Sequence, residues 1–129
     1  MISSKHNLLF ATFAALFALQ AAAGAQPGLG WKLLDSTIPA NASHQIRVQL
    51  VDGSGKAVLQ PVTALAVRVD MSPDAMADMT TPAKAAPGKT PGEVVVETNL
   101  YAPGRWAVIL SGTTKSGPVK GTLVVTAKP

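Results

Sequence analysis

Residues 45–56 read QIRVQLVDGSGK, and the fold turns on this stretch. Ile46, Val48 and Leu50 alternate with Gln45, Arg47 and Gln49. A two-residue period turns one side of an extended chain to a core and the other to water, so these residues predict a half-buried strand. The run stops at Asp52-Gly53-Ser54-Gly55-Lys56, residues that tolerate positive φ and close tight turns.

The same pairing of alternating run and turn recurs along the chain. Leu65, Val67, Val69 and Met71 share one face of a second run, with Ala66, Arg68 and Asp70 on the other. A third run holds Val94–Val96 and continues towards Leu100 and Tyr101. Pro103-Gly104 breaks it, after which Trp106, Val108 and Leu110 alternate with Ala107 and Ile109. Ser116-Gly117-Pro118 predicts another turn, and Val119, Gly121, Leu123, Val125 and Ala127 then alternate with Lys120, Thr122, Val124, Thr126 and Lys128. Trp31–Leu34 predicts an N-terminal edge strand. About seven short strands in roughly 100 residues, with turns between them, predict an all-β fold, an antiparallel immunoglobulin-like β-sandwich. A small barrel is the alternative. In the sandwich, Trp106 belongs between the sheets.

Asp70–Gly92 breaks the pattern, with prolines at 73, 82, 87 and 91. Ser72 at N-cap, Pro73 at the first helical position and Asp74 in the first turn predict a helical turn running to about Met79. Thr80-Thr81-Pro82 would stop it. Ala83–Pro91 reads as disordered.

The N-terminus has the pattern of a secretory signal. Met1–Asn7 carries Lys5 and no acid, Leu8–Leu19 has Thr12 as its one polar residue, and small-x-small sites follow at Ala21-Ala22-Ala23 and Ala23-Gly24-Ala25. Residues 1–25 therefore read as a signal-peptide helix, and residues 26–129 as one exported domain with no transmembrane span after cleavage.

Composition narrows the chemistry. With no cysteine, the chain has no disulfide, thiolate metal site or cysteine nucleophile. Charged residues are 14%, and loss of Lys5 leaves ten basic against seven acidic side chains, none of the basic ones adjacent. Nothing there forms a stripe that could track a phosphate backbone, so nucleic acid is excluded as a partner. The chain also lacks a Gly-x-Ser-x-Gly elbow, and Asp74 and Asp78 read as solvated carboxylates, so an enzyme is not expected.

The remaining chemistry is that of methionine. Beyond the start residue, all methionines (Met71, Met76 and Met79) fall within nine positions. Thioether sulfur suits soft ions such as Cu(I) and Ag(I), and an exported cysteine-free protein would have to bind them through Met or His. On a helical turn Met76 and Met79 would face the same way. Met71 also lies on the core face of its run, and packing explains methionines equally well. His44 is the one imidazole after the signal and could complete a site or simply stand at a strand start.

Taken in order, Val51–Lys56, then Val67-Arg68-Val69-Asp70-Met71, a Met-bearing loop, Pro103-Gly104-Arg105-Trp106-Ala107-Val108 and Val119–Val125 resemble the small periplasmic YtkA-like domains, related to the FixH-like proteins. The resemblance spans Ser43–Ala127. It implies an immunoglobulin-like sandwich in the periplasm, associated with heavy-metal efflux or copper-dependent oxidase assembly, and a membrane complex as partner. Many such domains carry a Met- and His-rich segment after the second strand; here Met71, Met76 and Met79 are kept, and the loop has no His. A metal-free domain that docks on such a complex through an exposed strand edge is the alternative reading.

The processing expectation is directly measurable. The intact mass of the exported protein should begin at Gln26, or at Gly24 if the earlier site is cut. A membrane-bound product that keeps Met1 would overturn it.

Overall fold

In the computed structural model, which describes residues 28–129, the alternating runs become strands of two stacked sheets. The expected signal peptide, residues 1–25, lies outside the described residues. The strands are β1 Gly30–Leu33, β2 Thr37–Pro39, β3 Ser43–Val51, β4 Thr63–Met71, β5 Met76–Thr81, β6 Ala83–Pro87, β7 Glu93–Asn99, β8 Gly104–Thr114 and β9 Gly117–Lys128. One sheet has the order β1-β3-β7-β6 and the other β2-β9-β8-β4-β5. The architecture is the expected immunoglobulin-like β-sandwich, and no described helix is long and apolar enough to cross a membrane.

The inner faces are those the alternation assigns. Ile46, Val48, Leu50, Val94, Val96, Val108, Leu110 and Val125 are fully buried, and the outward partners in the same strands are more exposed. Trp106 lies at the centre with no exposed surface. Its indole Nε1 donates to the Ala102 carbonyl at 3.0 Å, and the Tyr101 ring meets it edge-on, centroids 5.3 Å apart. Trp31 Nε1 crosses between the sheets to the Leu110 carbonyl at 3.1 Å. Both ring nitrogens would otherwise be desolvated without a partner, which costs more than the bond itself contributes. Among the described residues, the buried core side chains run from Trp31 to Ala127, with Leu29 packed against them.

Five expectations are corrected. The segment after β4 is not a helix to Met79: a 3-10 turn covers only Ser72–Asp74, with Met71 and not Ser72 at its N-cap. Ala75 then adopts φ 60°, and Met76–Thr81 pairs along β4 as β5. Ala83–Pro91 is not disordered, because Ala83–Pro87 forms β6 against β7. Local propensity disfavours alanine in strands. Here an open sheet edge offers backbone partners, and Ala83 and Ala85 pack on the core. Those two strands and the short β2 raise the number from about seven to nine. The sheets are also not wholly antiparallel, since β2 runs parallel to β9. The chain reaches that edge by crossing from β1 to the opposite sheet, and the crossing sets its direction. The last hairpin turns at Lys115-Ser116, one position before the expected triplet, with Gly117 at φ 122° opening β9.

Trp106→Ala should lower unfolding free energy by about 3–5 kcal/mol, the usual range for a large buried aromatic. An unchanged urea midpoint would contradict its place in the core.

Candidate functional site

The methionines gather at one end of the sandwich, where β4 runs into the 3-10 turn and β5. Asp70, at the end of β4, is buried and accepts from Arg68 Nε at 3.1 Å and from the Ser72 amide at 3.0 Å. Burial pushes its carboxyl up, but hydrogen bonding by Ser72 and Arg68 outweighs it, so the group stays below the usual carboxylate range. Asp74, two residues further on, accepts from the Arg105 amide at 2.9 Å and from Arg105 Nε at 2.8 Å. Arg105 Nη2 also donates to the Pro73 carbonyl at 2.8 Å. The Arg105 amide first, and then its side chain, hold the Asp74 carboxyl low.

Gly104 makes this contact possible. Its φ is 134°, and a Cβ there would stand 2.7 Å from both Asp74 Oδ2 and Met71 Cε. A larger residue would be strained at this φ and would make those side-chain ends shift. Pro103-Gly104-Arg105-Trp106 is thus a clamp: Trp106 fills the core, and Arg105 grips the Met-bearing turn from outside. Sequence reasoning placed Asp74 in solvent and missed this pair. The available signal was the coincidence of Ser-Pro-Asp after one strand and Pro-Gly-Arg before another.

The four candidate ligands are placed differently from one another. Met71 is 2% exposed and belongs to the core. Met76 stands across from Met71 in the ladder, at the register shift between Asp70 and Met71, and is 37% exposed. Met79 is partly buried and packs on the core from the side of Thr81. Met76 is exposed and Met79 is partly buried, with the ladder's register shift between them, so they do not form the common open face a helical turn would have given. His44 stands on β3 in the other sheet, paired with Thr98 and half-buried, with β7 between it and β6. Among the described residues no cluster of three or more His, Cys, Asp or Glu could hold a metal. The donor set for a soft ion at the β4–β5 edge is therefore one open thioether, Met76, beside the packed thioether of Met71.

The carboxylates predict the acid response. Asp35 is held low chiefly by the Arg47 side chain, and Asp52 by Ser54, so with Asp70 and Asp74 four aspartates lie below their ordinary value of 3.8. A carboxyl that is more acidic folded than unfolded lends stability above its unfolded pKa, and that stability is lost as pH falls through the folded pKa. The urea midpoint should therefore hold steady as pH falls towards about 5 and drop below about 4. Asp74→Asn should start lower at neutral pH and show a shallower acid limb. A limb as steep as that of the unsubstituted protein would mean that the clamp is not linked to stability.

No curated protein matches this chain. Among solved structures, the crystal structure of the Lin-41 filamin domain aligns with a TM-score of 0.50 at 17% sequence identity, covering 76% of this chain and 91% of that one. At that identity the likeness is one of fold, an immunoglobulin-like sandwich of a kind that is generally non-catalytic. The family match is more specific: the YtkA-like family description fits residues 29–111, from just before β1 into β8, and includes the Met-bearing turn and the Arg105 clamp. The chain belongs to the YtkA-like family.

Proposed function

We propose that the protein is an exported, non-enzymatic binding module of a metal-handling system, and that it meets a soft cation, Cu(I) by preference, at the β4–β5 edge. The observation that carries this reading is the ladder position of Met76. It holds an exposed thioether directly across from Met71, on a turn fastened by Arg105. Membership of a family associated with heavy-metal efflux and copper-dependent oxidase assembly supports it. A neutral sulfur has no proton to lose, so binding is modest in strength and nearly independent of pH. The generally non-catalytic character of the fold supports a role in binding over a role in catalysis.

A second reading, a metal-free domain that docks on a membrane efflux or oxidase-assembly complex through a strand edge, is favoured by the burial of Met71 and the separation of Met76 from Met79. Both β5 and β6 are edge strands on the same side of the sandwich, with unpaired backbone groups to offer.

Titration with Ag(I) or Cu(I) separates the two. Binding should be saturable, absent for Zn(II), and lost in Met76→Leu, which keeps the apolar volume. Met79→Leu should bind nearly as well as the unsubstituted protein. Equal affinity in all three proteins, or no binding in any, supports docking without metal.

A further inference from the structure

The end of the sandwich opposite the methionines carries a different chemistry. Four segments meet there: the Asp52–Lys56 turn, the stretch Ala57–Val62, the loop Gly88–Gly92 and the Lys115-Ser116 hairpin tip. Register places them together, with Gly30 opposite Val51, Gln49 opposite Glu93, and Thr63 opposite Thr113. They also touch. Val58 N donates to the Leu50 carbonyl, Leu50 N donates to the Gly92 carbonyl, and Ser116 Oγ lies 3.4 Å from Gln60 Oε1. A cleft between Pro61–Thr63 and Pro87–Glu93 joins the two sheets at this end.

Three of these segments present an exposed lysine: Lys56, Lys89 and Lys115. The fourth presents Leu59, which at 68% is the most exposed large apolar side chain among the described residues. All three described ion pairs use arginine, Arg47–Asp35, Arg68–Asp70 and Arg105–Asp74, and none uses a lysine. Two carboxylates share this end, and both are turned into the loops that bear the lysines. Asp52 Oδ1 accepts from the Ser54 amide at 2.9 Å and the Lys56 amide at 3.0 Å, and Glu93 Oε1 accepts from the Lys89 amide at 3.1 Å.

Gly28, the first described residue, packs against Gly53 at this same end, where an added Cβ would lie 3.0 Å from the Gly53 nitrogen. The chain therefore enters the sandwich beside the Asp52–Lys56 turn. We infer that this end docks on an anionic phospholipid surface, with Lys56, Lys89 and Lys115 over the headgroups and Leu59 inserted between them. The methionine end then points away from the bilayer. The inference does not use the methionines, so it stands or falls separately from the metal titration.

Vesicle binding of residues 26–129, the expected exported protein, tests it. With vesicles of phosphatidylglycerol and phosphatidylethanolamine at low salt, the protein should sediment with the lipid and be released as salt rises. At about 1 kcal/mol per lysine near an anionic surface, the triple variant Lys56→Gln, Lys89→Gln, Lys115→Gln should bind about a hundredfold more weakly. Leu59→Ser should bind about tenfold more weakly, from loss of a buried leucine. The matched variant Lys84→Gln, Lys120→Gln, Lys128→Gln changes the same net charge elsewhere and should differ less than about threefold. Unchanged thermal midpoints confirm that every variant is folded. Equal loss from both triple variants, equal binding to phosphatidylcholine vesicles, or no binding to anionic ones overturns the proposal. The last result would reassign this end to a protein contact.

Discussion

Trp106 and Arg105 are neighbours at the start of β8, and a strand turns neighbours to opposite sides. Trp106 points in, is wholly buried, and spends its one donor on the Ala102 carbonyl. Arg105 stays outside and holds both Asp74 and the Pro73 carbonyl. The same two residues thus join the sheets and fasten the turn that leads from β4 into β5. Gly104, at a φ of 134°, leaves room for the Asp74 carboxylate and the Met71 side chain to approach the backbone.

The sandwich is consequently polarised along its strands. One end is built around a buried aspartate, an arginine clamp and thioethers, a setting with soft donors and little free charge. The other end is a set of turn tips with free ammonium groups, one exposed leucine and the point where the N-terminal segment arrives. Both ends are made of loops and turns carried by a rigid pair of sheets, the usual arrangement by which a β-sandwich gains function without disturbing its core.

Much of this was legible in the residues themselves. Ile46, Val48 and Leu50, Val69 and Met71, and Trp106 with Val108 and Leu110 are each buried on the side that their alternation assigns, with Leu65 and Val67 partly buried beside them. That signal is local and survives because every strand has one face on a single core. The segment from Ser72 to Pro87 is where local reading failed. Ser-Pro-Asp is a sound helix start, and a 3-10 turn does form, but nothing local shows that an unpaired edge of β4 lies within reach. Nor does a run of alanines announce a strand until β7 is beside it to pair with.

What the sequence determined by itself is the all-β class, the inward faces, the position of Trp106 and the exclusion of any thiolate metal site. Those follow from period and composition, which need no knowledge of what lies across the sheet. Only the tertiary structure decided that Met76 is open while Met79 is partly buried, that His44 stands in the other sheet, and that Arg105 reaches Asp74 from thirty-one residues away. Each of these depends on pairing between segments distant in the chain. Register and edge position are set by the hydrogen bonds and packing those segments find in the folded state, and no local pattern records them.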